Sequence, residues 1–114
     1  MRHLISVLVC LVFLSGCGQK TPQPITFFTH EGCPYCEKAL QYIHLNYPKL
    51  SMQVLEIGTE ENMIKFVQCA QRFKLDLKKL GTPLICMDKH YVMGWSEEEQ
   101  NLFNQYVKSY LPKK

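Results

Sequence analysis

Two short runs, Ile25–Thr29 and Met52–Ile57, read as strands, and the residues between them carry a helical period. Cys36, Ala39, Leu40, Ile43 and Tyr47 recur at spacings of three and four, Pro34 stands at the favoured first helical position, and Pro48 stops the run. A strand, a helix and a strand in that order make a parallel pair with a right-handed crossover, because a tight turn cannot join parallel neighbours.

The rest of the chain extends this unit. Gly58-Thr59 breaks the second strand, and Thr59 is placed to cap a helix whose apolar face is Met63, Phe66, Val67, Ala70 and Phe73. Residues 74–81 read as a basic loop or a fraying helix end. Leu84–Met87 is a short apolar strand, Asp88-Lys89-His90 turns the chain, and Tyr91–Met93 returns as its hairpin partner. Ser96-Glu97-Glu98-Glu99 is a capping box with acids suited to a helix N-terminus, and Leu102, Phe103, Tyr106, Val107 and Tyr110 follow on one face. The order is β-α-β-α-β-β-α. The economical packing is an α/β domain with a four-stranded mixed sheet flanked by helices on both faces.

Ahead of this domain, Arg2 and His3 precede the apolar run Leu4–Leu14, which is too short to span a bilayer and reads as a secretory signal. The run ends in Leu14-Ser15-Gly16-Cys17, which resembles a bacterial lipobox. That resemblance implies a signal peptide over residues 1–16 and lipid attachment at Cys17. Residues 17–24 would be a polar, proline-containing tether, with the domain over residues 25–112. Several acyl chains would anchor the protein stably, where one would not. The expected location is the periplasmic side of the bacterial envelope, and Gly18, in place of an aspartate, leans towards the outer membrane.

Composition narrows function by exclusion. With 46 % hydrophobic and 20 % charged residues, the chain is not of the disordered class. A net charge of +3 gives no basic face for nucleic acid, so no nucleic-acid partner is expected. Phosphate-loop and dinucleotide glycine patterns are absent, and no cofactor is expected.

The cysteines carry the chemistry. Of six, Cys10 leaves with the leader and Cys17 takes lipid, so Cys33, Cys36, Cys69 and Cys86 remain, with three ways to pair. An exported protein meets an oxidising compartment, and the Cys33-Pro34-Tyr35-Cys36 spacing favours pairing Cys33 with Cys36. Cys69 and Cys86 read first as buried free thiols that act as small hydrophobes, and whether they pair stays open at this point. With Cys33 as N-cap, its thiolate accepts from the N–H of Cys36 and feels the helix dipole, both of which lower the thiol pKa from about 8.5. Cys36 belongs to the buried stripe and Cys33 to the exposed tip, so Cys33 attacks and Cys36 resolves the mixed disulfide.

Further candidates surround this motif. Thr82-Pro83 directly precedes a buried strand, where proline is tolerated, and the residues alone favour an ordinary trans turn. Tyr35 stands at the rim as a substrate contact. His30 is a candidate for tuning the thiolate when charged. Lys38 reads as a solvated residue, Trp95 as groove lining or core, and Glu56 as an exposed carboxylate or a proton acceptor below the dithiol.

The run from Thr26 through Cys36, then Gly81-Thr82-Pro83-Leu84-Ile85-Cys86, then Met93-Gly94-Trp95-Ser96 with its three acids, resembles the glutaredoxin branch of the thioredoxin superfamily over nearly all of residues 25–111. The resemblance implies a thioredoxin-like fold, reversible thiol–disulfide exchange through Cys33 and Cys36, a cis bond at Pro83, and substrate contact at Thr82 and Pro83. Glutaredoxins usually carry lysine where this chain has His30, and a Gly-Gly turn where it has Met93-Gly94-Trp95, so glutathione use stays open. The Gly94-Trp95-Ser96 tail also resembles thioredoxin-like domains of exported disulfide isomerases and oxidases. The expected partners are exported protein thiols and disulfides, a separate redox partner, and the membrane through lipidated Cys17. A monomer is expected. The alternative function is a copper- or zinc-binding lipoprotein using Cys33, Cys36 and His30, since soft thiolates suit Cu(I).

Overall fold

A computed structural model describes residues 24–112; the expected signal segment, the expected lipid site Cys17 and the expected tether before Pro24 lie outside the described residues. The elements are β1 (Thr26–Thr29), α1 (Pro34–Asn46), β2 (Gln53–Glu56), α2 (Glu60–Arg72), β3 (Leu84–Cys86), β4 (Tyr91–Met93) and α3 (Glu97–Val107). The expected order is therefore realised.

The sheet runs β2-β1-β3-β4. β1 pairs in parallel with β2, Thr26 opposite Gln53 through Thr29 opposite Glu56. β3 lies antiparallel on the other side of β1, with Phe28 opposite Leu84, and β4 closes a hairpin with β3.

Strand alternation divides the core in two. Phe27 and Ile85 point to the face covered by α1 and α3, where Cys36, Ala39, Ile43, Phe103 and Val107 meet them. Phe28, Leu84 and Cys86 point to the opposite face, where α2 supplies Phe66 and Cys69. Each fully buried large side chain contributes about 1.5–3 kcal/mol, so the pair Phe27 and Phe28 fastens both helical layers to one strand.

The helix starts are local. Thr59 Oγ1 accepts from the N–H of Asn62 at 3.2 Å, and the N–H of Ser96 donates to Glu99 Oε1 at 2.9 Å. Each satisfies a backbone donor at or beside a helix start that has no partner within the helix.

Three expectations are corrected. Cys69 and Cys86 are not free thiols: they form a disulfide joining α2 to β3, with Cα atoms 6.6 Å apart. The stripe of α2 is rotated to match, Cys69 being 7 % exposed while Met63 is 40 % exposed. The disulfide and the Phe28–Phe66 contact, ring centroids 5.5 Å apart, turn that side of the helix to the sheet. The basic segment after α2 is neither plain loop nor frayed helix. Asp76 Oδ1 accepts from the N–H of Lys78 at 3.0 Å and starts a 3₁₀ turn, Leu77–Lys79. No helix among the described residues is long and apolar enough to cross a membrane.

Candidate active site

β1 delivers the chain to the site through a three-residue turn, His30-Glu31-Gly32. Gly32 has φ +75°, a left-handed conformation that costs glycine little and other residues more. Cys33 then takes the extended N-cap conformation of α1, φ −103° and ψ 102°, and Pro34 follows inside the helix. The N–H of Cys36 donates to Cys33 Sγ at 3.1 Å. A first-turn N–H without a helical partner is thus aimed at the sulfur, and the positive end of the helix dipole lies there too.

Cys33 and Cys36 are joined as a disulfide, Cα atoms 5.2 Å apart. Their surroundings differ in the way the helical offset demands. Cys36 is 1 % exposed within the core below α1, whereas Cys33 is only partly buried. Cys33 is therefore the more accessible residue of the pair.

β3 brings the second component. The Thr82–Pro83 bond is cis, Pro83 is buried, and the N–H of Gly94 donates to the Pro83 carbonyl at 2.8 Å. Gly94 itself has φ +90°. This turn sets Thr82 against the dithiol: Thr82 Oγ1 donates to Cys33 Sγ at 3.5 Å, and the Thr82 carbonyl lies 3.6 Å from the same sulfur. Two donors, the Cys36 N–H and the Thr82 hydroxyl, thus converge on Cys33 Sγ. Donors of this kind favour the charged form of a thiol, while the Thr82 carbonyl oxygen disfavours it.

The remaining candidates sort by position. Tyr35, 57 % exposed, stands at the tip of α1, with Lys38 Nζ 5.8 Å from its ring centroid. His30 is exposed and its Nδ1 pairs with the Glu31 carbonyl at 2.9 Å, so it is turned to its own loop and not to Cys33. Trp95 packs on Tyr42 and Phe103, centroids 5.6 and 5.9 Å away, as partly buried core that also lines a shallow groove with Lys38 and Leu45.

Glu56 is half-buried and is not a free surface carboxylate. Its Oε1 accepts from the N–H of Gly58 at 2.8 Å and its Oε2 from the N–H of Glu31 at 3.3 Å. Sequence reasoning missed the tie from Glu31 to Glu56 because it joins residues 25 apart in the chain. Among the described residues no group of three or more His, Cys, Asp or Glu side chains could hold a metal ion, and His30 does not join the two cysteines.

No family model matches the sequence, and no curated protein matches it. Among solved structures the chain is similar to a glutaredoxin, grx-1 from Archaeoglobus fulgidus, with TM-score 0.53 and 15 % identity over 82 % of this chain and 90 % of that one. The mixed four-stranded sheet, the dithiol at the first turn of α1 and the cis proline opening β3 belong to one frame, and that frame is the glutaredoxin form of the thioredoxin fold.

Proposed function

We propose that this chain is a thiol–disulfide oxidoreductase that exchanges disulfides with exported proteins through Cys33 and Cys36. The observation that carries this reading is Cys33 Sγ itself, reachable from solvent, bonded to buried Cys36, and facing the Cys36 N–H and the Thr82 hydroxyl.

In the reducing direction, the Cys33 thiolate attacks one sulfur of a substrate disulfide, and the other substrate sulfur leaves as a thiolate. Cys36, deprotonated, then attacks Cys33 Sγ. The second substrate thiol leaves, and two electrons have passed from the dithiol to the substrate. The oxidising direction runs the same steps backwards. Thr82 Oγ1 and the Cys36 N–H hold the charge on Cys33 when it is the leaving sulfur, so one set of donors serves both directions. Tyr35 and the Thr82–Pro83 turn flank the attacked sulfur and offer an apolar ring and a peptide backbone to an extended substrate segment. A separate redox partner resets the dithiol.

The address rests on Leu14-Ser15-Gly16-Cys17, whose pattern supports lipid on Cys17 and a domain tethered at the periplasmic side of the envelope, the outer membrane favoured by Gly18. Such an address favours exported proteins over glutathione as substrates.

The test is covalent trapping. Cys36→Ser should accumulate mixed disulfides between Cys33 and envelope proteins, resolved on non-reducing gels, while Cys33→Ser should accumulate none. Trapping by Cys33→Ser and not by Cys36→Ser would reverse the roles; trapping by neither would sink the reading.

A further inference from the structure

We propose that Glu56 is a positioning residue for the nucleophile: its carboxylate clamps the turn that carries Cys33 and thereby keeps the first turn of α1 aimed at the sulfur. This rests on the reading of Cys33 as the attacking thiol.

Glu56 is the last residue of β2, and the parallel register sets it opposite Thr29, the last residue of β1. Both strands end there, and the active-site turn begins one residue later. The N–H of Ile57 donates to the Thr29 carbonyl at 2.9 Å, so the two strand ends are locked together up to the turn. Beyond that point the turn has few ties. The His30 ring pairs with the carbonyl of its neighbour Glu31, and Gly32 adds freedom with its left-handed φ. Glu56 Oε2, accepting from the N–H of Glu31 at 3.3 Å, ties the turn to the neighbouring strand.

The carboxylate is held from its other side as well. Oε1 accepts from the N–H of Gly58, and the Glu56 carbonyl accepts from Asn62 Nδ2 at 2.8 Å. Asn62 in turn donates its backbone N–H to the Thr59 cap. The clamp is thus built on the start of α2 and reaches across to the start of α1. Gly58 shows how closely it fits: a Cβ there would lie 2.6 Å from Glu56 Oε1.

Releasing the turn lets the chain before Cys33 drift, and the Cys36 N–H and Thr82 hydroxyl lose their alignment on the sulfur. A thiolate with fewer aligned donors is less stable, so its pKa rises. A through-space role of the Glu56 charge gives the opposite sign. A nearby carboxylate disfavours a thiolate, so deleting it would lower the thiol pKa. The sign of the shift therefore separates positioning from simple charge repulsion.

The experiment measures the rate of Cys33 alkylation by iodoacetamide against pH in the reduced full-length protein, resolved by peptide mass. Glu56→Ala should move the midpoint upward by roughly half to one pH unit, the scale expected for weakening a hydrogen bond to a charged group. Glu56→Gln keeps one acceptor oxygen and should move it upward by less. Gly58→Ala displaces the carboxylate without removing its charge and should also move the midpoint upward, which supplies the reading if Glu56→Ala fails to fold. A downward shift in both Glu56 variants, or no shift in any of the three, would overturn the proposal. The titration needs no substrate. Loss of trapping by Cys36→Ser would therefore refute the oxidoreductase reading while leaving the role of Glu56 separately readable.

Discussion

The disulfide between Cys69 and Cys86 makes a quantitative claim about stability. It closes a loop with a sequence separation of 17 between the middle of α2's buried stripe and the end of β3. By chain entropy, a cross-link over a loop of that length removes about 3 kcal/mol worth of freedom from the unfolded chain at 25 °C. Truncating either buried half-cystine to alanine removes a further ~1 kcal/mol of packing. A bond cannot be lost twice, which gives the test its shape. Cys69→Ala and Cys86→Ala should each cost about 4 kcal/mol, and the double variant about 5 instead of the ~8 expected from independent sites. The measurement is urea unfolding of all four proteins in a background carrying Cys33→Ser and Cys36→Ser, so that a freed thiol cannot exchange with the active pair. At an m value of about 1.5 kcal/mol/M, the cross-link alone is worth about 2 M in the midpoint. Additivity of the two single variants within about 0.5 kcal/mol would show that the pair is not bonded in solution.

Other outcomes follow from the same geometry. Burial first, and the neighbouring Tyr42 second, hold the Tyr47 hydroxyl above its ordinary pKa of 10.0 while it donates to Asn104 Oδ1 at 2.6 Å. A folded pKa above the unfolded value gives stability that is complete below about pH 10 and is lost as pH rises through the folded pKa. The stability gap between wild type and Tyr47→Phe should therefore be constant from pH 7 to 9 and narrow above pH ~10 by chemical denaturation; a gap that widens there contradicts the assignment. Glu99→Ala removes the acceptor for the Ser96 N–H and should cost about 1 kcal/mol, read as a fall in the thermal midpoint of several degrees. Cys17→Ala should shift the protein from the membrane fraction to the soluble one on flotation, and an unmodified Cys17 in intact mass of the wild type would contradict the anchor.

Much of this molecule was readable along the chain because the relevant physics is local. Caps act within four residues: Cys33 with Cys36, Thr59 with Asn62 and Ser96 with Glu99 all lie three apart. Periodicity likewise declares which residues turn inward, so α1 and α3 could be placed with their buried faces. The unequal burial of the two cysteines was legible for this reason, since helix geometry alone separates a partly exposed N-cap, Cys33, from a buried third residue, Cys36.

What the tertiary structure alone decided lies between elements. A period of two says that a strand residue points to one face or the other but does not label the faces. Phe27 and Phe28 are both buried, one on each side of the sheet, and only the packed structure shows Cys86 on the side of α2 with Cys69 and away from Cys36. The meeting of Thr82 with Cys33, 49 residues apart, needs the antiparallel register of β3 on β1. The bond from Glu31 to Glu56, 25 apart, needs the parallel register of β2 on β1. Tyr35 could be placed on the rim from its helix position, whereas the chain alone left Glu56 with two readings. Strand pairing brings the Glu56 carboxylate to the Glu31 N–H, because register is set by burial summed over whole strands and not by any residue beside the site.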